Sequence, residues 1–194
     1  MEKIHEINES VYDINMDKLC QNSIELIKYA RNITAKQVNN VQIMTYYSLG
    51  RWIVEVQQQG KHRAEYGKKI IINLSKKLTE EFGKGFSEST LEKARKFYLT
   101  YKERISETLF TIFEEEHPFL VTWSHYLQLM RIENEDERSF YEIEAAREKW
   151  GVRDLSRQYN SSLYERLALS RDKDKVQRLS QEGNVITTSK DVLK

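Results

Sequence analysis

The sequence predicts a mainly α-helical protein, built from a helical hairpin followed by helix-turn-helix modules. Three observations lead there. The 194 residues include one proline and seven glycines, so long stretches carry no helix breaker. Apolar residues recur at three- and four-residue spacing along most of the chain. Turns marked by glycine separate two pairs of such stretches, and lysines and arginines stud the helices on either side.

Composition narrows the class further. With 39% hydrophobic and 31% charged residues, the chain can form a core and is not broadly disordered. Its one cysteine, Cys20, excludes an internal disulfide, and four histidines without tight spacing argue against a structural zinc site. No run of about 20 apolar residues spans a bilayer, and no N-terminal apolar run resembles a signal peptide. A cytoplasmic, reducing compartment is the expectation.

The net charge of +1 implies no partner, but its distribution does. Lys61 to Ile105 holds twelve Lys and Arg against six Asp and Glu, Ser106 to Ala146 two against ten, and Arg147 to Arg178 nine against five. Two basic segments flank an acidic one. This layout suits a surface with one face for phosphates. It also suits solvated faces of unrelated helices.

The elements follow in order, with residues 1–60 expected as the hairpin. Met1 to about Asn15 is weakly patterned. A first helix is expected from about Met16 to Thr34, burying Leu19, Ile24, Ile27 and Ala30, with Cys20 near its interface. A second, from about Val38 to Gln58, carries Val41, Met44, Leu49, Trp52, Ile53 and Val56 near one stripe, and Gly60 closes the pair.

Residues 61–113 form the first helix-turn-helix unit. A helix from Tyr66 to Phe82 turns Ile70, Ile71, Leu74, Leu78 and Phe82 inward. Gly83 suits the left-handed position past a helix end, Gly85 permits a tight turn, and Phe86 returns to the core. Ser87 caps the next helix, whose apolar stripe is Leu91, Ala94, Tyr98 and Tyr101. A short helix at Ser106–Phe113 and a solvated acidic loop, Glu114 to Glu116 beside His117, complete this part.

Residues 119–170 form the second unit. Thr122 caps a helix through Met130, which offers Trp123, Tyr126, Leu127 and Met130 for packing. Asn134 with Glu137 starts a helix from Glu135 to Lys149 that buries Phe140, Ile143, Ala146 and Trp150. Gly151 makes the turn. A helix from Val152 to about Leu169 follows, with Leu155, Tyr159, Leu163 and Leu167 at four-residue spacing. Residues 171–194 read as an extension and linker, with a short strand at Val185–Thr188.

This pattern carries no catalytic site. His117 and His125 are the histidines near acidic clusters, and their spacing matches no acid–base motif. His125, between Trp123 and Tyr126, reads as a packing or hydrogen-bonding residue. Binding is better supported. One helix fits a major groove with its polar side chains at base edges, while lysines neutralise the phosphates. The candidates on the first unit are Lys68, Lys69, Lys76, Lys77, Lys84, Ser89, Thr90, Lys93 and Lys96. On the second they are Arg153, Ser156, Arg157 and Asn160, the arginines offering a rigid fork to phosphate or guanine. A helix-turn-helix is also a common packing device, and the aromatic load, with Trp52, Trp123 and Trp150, leaves a protein-interaction or dimerisation domain open.

Three stretches resemble a known family: LSKKLTEEFGKGFSESTLEKARKFYLTY (Leu74 to Tyr101), VTWSHYLQLMRIENEDERSFYEIEAAREKWGVRDLSRQYNSSLYERL (Val121 to Leu167) and the closing KDVLK (Lys190 to Lys194). They are similar to the amino-terminal domain of the YhcG-like, DUF1016-type bacterial proteins. The chain departs from that pattern at Thr90 and Ala94, where Asn and Met are frequent, and at Gly151, where serine is usual. The second stretch also resembles, more loosely, the helix-turn-helix of ParB-type proteins. The resemblance implies a helical, winged-helix-like or related DNA-binding module that targets a PD-(D/E)xK nuclease domain, supplied in cis or in trans. Magnesium is implied for that nuclease domain only, and this chain is not expected to be an enzyme by itself.

Overall fold

The computed structural model describes residues 16–59, 64–104, 119–169 and 179–183. Among them the architecture is mainly α, with no strand. The helices are α1 (Met16–Gln59), α2 (Ala64–Phe82), α3 (Glu88–Tyr101), α4 (Trp123–Leu129), α5 (Glu135–Arg147), α6 (Val152–Asn160) and α7 (Leu163–Leu169). A single 3₁₀ turn, Lys102–Arg104, extends α3. The chain divides into two compact units, Met1–Asn39 and Asn40–Lys194. The expected helix at Ser106–Phe113, the acidic loop with His117, Gly60, the strand at Val185–Thr188 and the closing KDVLK lie outside the described residues.

The expected turn between two N-terminal helices is absent. α1 is one helix of 44 residues. Residues 34–38 read Thr-Ala-Lys-Gln-Val, with neither glycine nor proline to stop it. The hydroxyls of Thr34 and Thr45 bond back within the helix to the carbonyls of Ala30 (3.0 Å) and Val41 (2.7 Å), so their polar groups are satisfied without breaking it. In the first unit Leu19, Ile24 and Ile27, expected to be buried, are exposed, and so is Cys20. In the second unit Ile43, Met44, Tyr47, Ile53 and Val54 turn inward, whereas Val41, Val56 and Trp52, which is 55% exposed, do not.

The segment from α2 through the glycine turn to α3 follows the expected local pattern closely. Ile71 and Leu91 are buried with Ile53, and Leu49, Leu74 and Leu78 pack on them. Gly83 takes the left-handed backbone (φ 78°), and its N–H donates to the Thr79 carbonyl at 3.0 Å. Ser87 is the N-cap of α3, its Oγ accepting from the Thr90 N–H at 3.3 Å. Phe82 departs from expectation. It is 67% exposed beyond the last packed turn and rests against Phe86, centroids 6.0 Å apart. Phe97, absent from the expected stripe, is fully buried.

Helix α3 approaches α1 closely at Gly50. A Cβ there would overlap the Ala94 carbonyl oxygen and stand 2.9 Å from Tyr98 Cβ. The gap left by the missing side chain lets backbone meet backbone.

The second half is organised by caps and buried polar groups. Asn134 Oδ1 accepts from Glu137 N–H at 3.0 Å, starting α5 as expected. Thr122 stands at the N-cap of α4, but its hydroxyl goes to His125 Nδ1 at 2.7 Å. The other ring nitrogen of His125, Nε2, meets the Trp150 carbonyl at 2.9 Å. A carbonyl only accepts, so Nε2 carries a proton, and in the neutral ring Nδ1 accepts from Thr122. His125 is a structural hydrogen-bonding residue, as its setting suggested.

α5 buries more than the expected stripe. Phe140, Tyr141 and Ala145 are inside, together with the carboxylates Glu142 and Glu144, while Ile143, Ala146 and Trp150 are half-buried. Tyr126 O–H donates to Glu142 Oε1 at 2.7 Å and accepts from Leu120 N–H at 2.9 Å. Burial, followed by the charge of Glu142, holds the Tyr126 hydroxyl well above its ordinary pKa, so it remains a donor.

The α5–α6 turn is made by Lys149, not Gly151. Lys149 has φ 54°, and Trp150 N–H donates to Ala145 O at 3.0 Å, closing a Schellman turn. Gly151 is extended (φ −75°) as the N-cap of α6, and Asp154 Oδ2 accepts from its N–H at 3.2 Å. The expected single helix to Leu169 is two. Ser161 and Ser162, the latter at φ 51°, break it between Asn160 and Leu163.

Two outcomes follow. Gly50→Ala lowers the stability of the fold. Overpacking costs roughly 1–3 kcal/mol, and a backbone carbonyl has little room to move, so the cost exceeds the ~1 kcal/mol that alanine gains within a helix. Urea unfolding followed by circular dichroism reads the difference. The second concerns Glu137, whose carboxyl is raised above its ordinary pKa by burial and then by the charge of Glu165. The folded chain thus holds its proton to higher pH than the unfolded chain, and stability falls as pH rises from the ordinary carboxylate range through the raised value. Glu137→Gln removes that loss. Melting curves give a higher Tm for the variant at pH 7, and a difference that shrinks towards pH 4.

Candidate nucleic-acid interface

Residues of α6 fall on two faces, because successive positions step by about 100°. Leu155 is buried and anchors the helix. Arg153, Arg157 and Asn160, at i, i+4 and i+7, share one exposed stripe. Arg157 Nη2 lies 2.9 Å from Asp154 Oδ1, an exposed pair one turn apart that partly offsets its charge. Ser156 is displaced from this stripe. It is half-buried, and its single O–H is shared between Gln128 Oε1 at 2.9 Å and the Val152 carbonyl at 3.0 Å.

The position of α6 is set from α5. Tyr141 O–H donates to the Gln158 carbonyl at 3.4 Å and accepts from Tyr164 N–H at 3.2 Å. Burial pushes the Tyr141 hydroxyl up to about 12, so it stays neutral and keeps both bonds. The Tyr141 ring also meets Tyr159 edge-on, centroids 5.6 Å apart.

On α3, Ser89, Lys93, Lys96 and Thr100 form one outward row, and the first three are exposed. Thr90 stands off it, half-buried, its hydroxyl 3.0 Å from Ser87 Oγ in the cap. On α2, Lys68 and Lys76 share an exposed row with Ile72, and Lys69 and Lys77 share the next row with Asn73. Glu80 and Glu81 follow the last two lysines at i+4, so this surface is less basic than the lysines alone suggest. Lys84 is exposed in the turn between α2 and α3. Arg95 turns elsewhere, donating to Gln57 Oε1 at 2.7 Å.

Beside the stripe on α6 a cleft of about 240 Å³ opens between α4 and α6. Leu129, Ile132 and Leu155, all buried, form its floor. Gln128, Arg131, Ser156, Tyr159 and Asn160 form its walls and mouth. Gln128, Arg131 and Tyr159 were not among the sequence candidates. Their signal is tertiary, since α4 and α6 are far apart in the chain.

Among the described residues no three His, Cys, Asp or Glu side chains come together to hold a metal ion. No described helix is long and apolar enough to cross a membrane.

The model of the DUF1016 N-terminal domain matches residues 22–166. A protein of Escherichia coli (strain K12) named "Putative nuclease YhcG" is 37% identical over 172 residues, covering 77% of this chain and 46% of that protein. The chain thus spans about half the length of this relative. No solved structure gives a significant match. The chain belongs to the DUF1016 family and carries its N-terminal domain.

Proposed function

We propose that this chain is a DNA-binding domain that places a nuclease on its substrate, with α6 as the reading helix. The observation that carries this is the exposed stripe of Arg153, Arg157 and Asn160 on α6, which we read as the second helix of a helix-turn-helix. Guanidinium forks suit phosphate oxygens and guanine edges, and an amide suits adenine. Ser89, Lys93 and Lys96 on α3 supply further contacts, and Lys68, Lys69, Lys76, Lys77 and Lys84 hold phosphates without regard to sequence. Ser156 and Thr90 act indirectly, holding the α4–α6 contact and the α3 cap. The name of the Escherichia coli relative supports the nuclease half of the reading, and the nuclease is a partner in cis or in trans.

Fluorescence anisotropy with a labelled duplex over a salt series tests it. Affinity falls steeply with salt, and the variant Lys93→Gln, Lys96→Gln, Arg153→Gln, Arg157→Gln loses up to about four units of the log–log salt slope. A slope and an affinity unchanged by the four substitutions sink the assignment.

A second reading rests on a separate observation in the first unit. Leu19, Ile24, Ile27 and Ile33 are exposed on α1, and apolar residues so grouped mark protein contacts. A homodimer through this segment is the simplest such contact. Light scattering then gives twice the chain mass, reduced to one by Ile24→Glu with Ile27→Glu; a monomer at high concentration rejects it.

A further inference from the structure

We infer that the cleft between α4 and α6 receives a single unpaired nucleobase, so that the preferred substrate is duplex DNA interrupted by an unpaired nucleotide. The inference rests on the reading of α6 as a DNA-contacting helix and narrows its substrate.

The size of the cleft comes first. About 240 Å³ is smaller than the roughly 300–1,000 Å³ of most small-molecule pockets. It suits one planar ring system and excludes a paired base with its stacked neighbours. The chemistry comes second. The floor of Leu129, Ile132 and Leu155 offers an apolar surface for a ring face. Tyr159, 40% exposed at the mouth and oriented by its edge contact with Tyr141, offers an aromatic wall. Bases stack readily on such rings and on guanidinium planes.

Polar groups complete the site. The Ser156 hydroxyl fixes Gln128 by donating to its Oε1, which aligns the Gln128 amide N–H groups as donors. Asn160 adds an amide with both donor and acceptor, matching the edge of a base. Arg131 is exposed at the mouth, and no carboxylate lines the cleft, so an anionic, phosphate-linked ligand is favoured over a cationic one. Asn160 also belongs to the outer stripe of α6. The cleft therefore opens where the helix would meet the duplex, and a base reaches it only by leaving the stack. That costs least for a nucleotide with no partner.

The test uses the full chain and two labelled duplexes of one sequence, one of them carrying a single bulged 2-aminopurine. The expected result is about tenfold tighter binding to the bulged duplex, with a change in 2-aminopurine fluorescence. Tyr159→Leu abolishes the preference and the fluorescence change while leaving the perfect duplex bound as before. Arg131→Gln, at an exposed position, lowers the preference about threefold. Equal affinities for the two duplexes, or a preference that survives Tyr159→Leu in a folded variant, overturn the cleft assignment and leave the duplex reading standing. If neither duplex binds, the duplex reading fails, and titration with a 2-aminopurine dinucleotide decides the cleft. A fluorescence change lost in Tyr159→Leu supports it, and no change overturns it.

Discussion

The buried ring of Phe97 is the constraint on which the second unit depends. Tyr101, Phe119, Trp123 and Tyr126 all stand with their centroids between 5.0 and 5.2 Å from it, and Tyr47 at 6.2 Å. Most of these contacts are tilted or edge-on, the arrangements that place positive ring edges on negative faces. The rings come from α1, α3, α4 and the segment before α4. One cluster thus joins α1, α3 and α4 in a shared core, and Ala94, one turn earlier on α3, carries the contact on to Gly50.

Directional bonds then set what the rings leave free. An aromatic cluster positions α4 but does not by itself aim α6. Three polar links do so. His125 ties α4 to the carbonyl of Trp150, just before α6 begins. Ser156 ties α6 back to Gln128 on α4. Tyr141 ties α5 to the C-terminal end of α6 and to the start of α7. Each joins groups that would lose solvation without a partner, so the geometry tolerates little rotation. The outer stripe of α6 and the cleft beside it are two sides of one helix held in a single orientation.

The surfaces proposed for contact owe their exposure to this economy. Residues spent on structure are unavailable for contact, as Thr90 in the α3 cap and Arg95 against Gln57 show. Those left outward are the lysine rows of α2 and α3 and the arginines of α6. Their basic character is moderated by Glu80 and Glu81, each four residues after a lysine, and by Asp154 beside Arg157.

The sequence by itself determined the helical class, the N-cap residues Ser87 and Asn134, the left-handed Gly83 and the outward placement of Lys93, Lys96, Arg153 and Arg157. These follow from period and local bonding within a few residues, so they are legible one turn at a time. Tertiary structure decided the rest. It ran α1 through the expected hairpin turn, because a polar stretch without glycine or proline carries no stop. It buried Phe97, Glu142 and Glu144 and left Phe82 and Trp52 outside, because burial depends on which neighbours surround a helix and not on its period. It moved the left-handed residue from Gly151 to Lys149 and brought Gln128, Arg131 and Tyr159 to one cleft from two helices. A cleft exists only where separate elements meet, and no local pattern encodes that meeting.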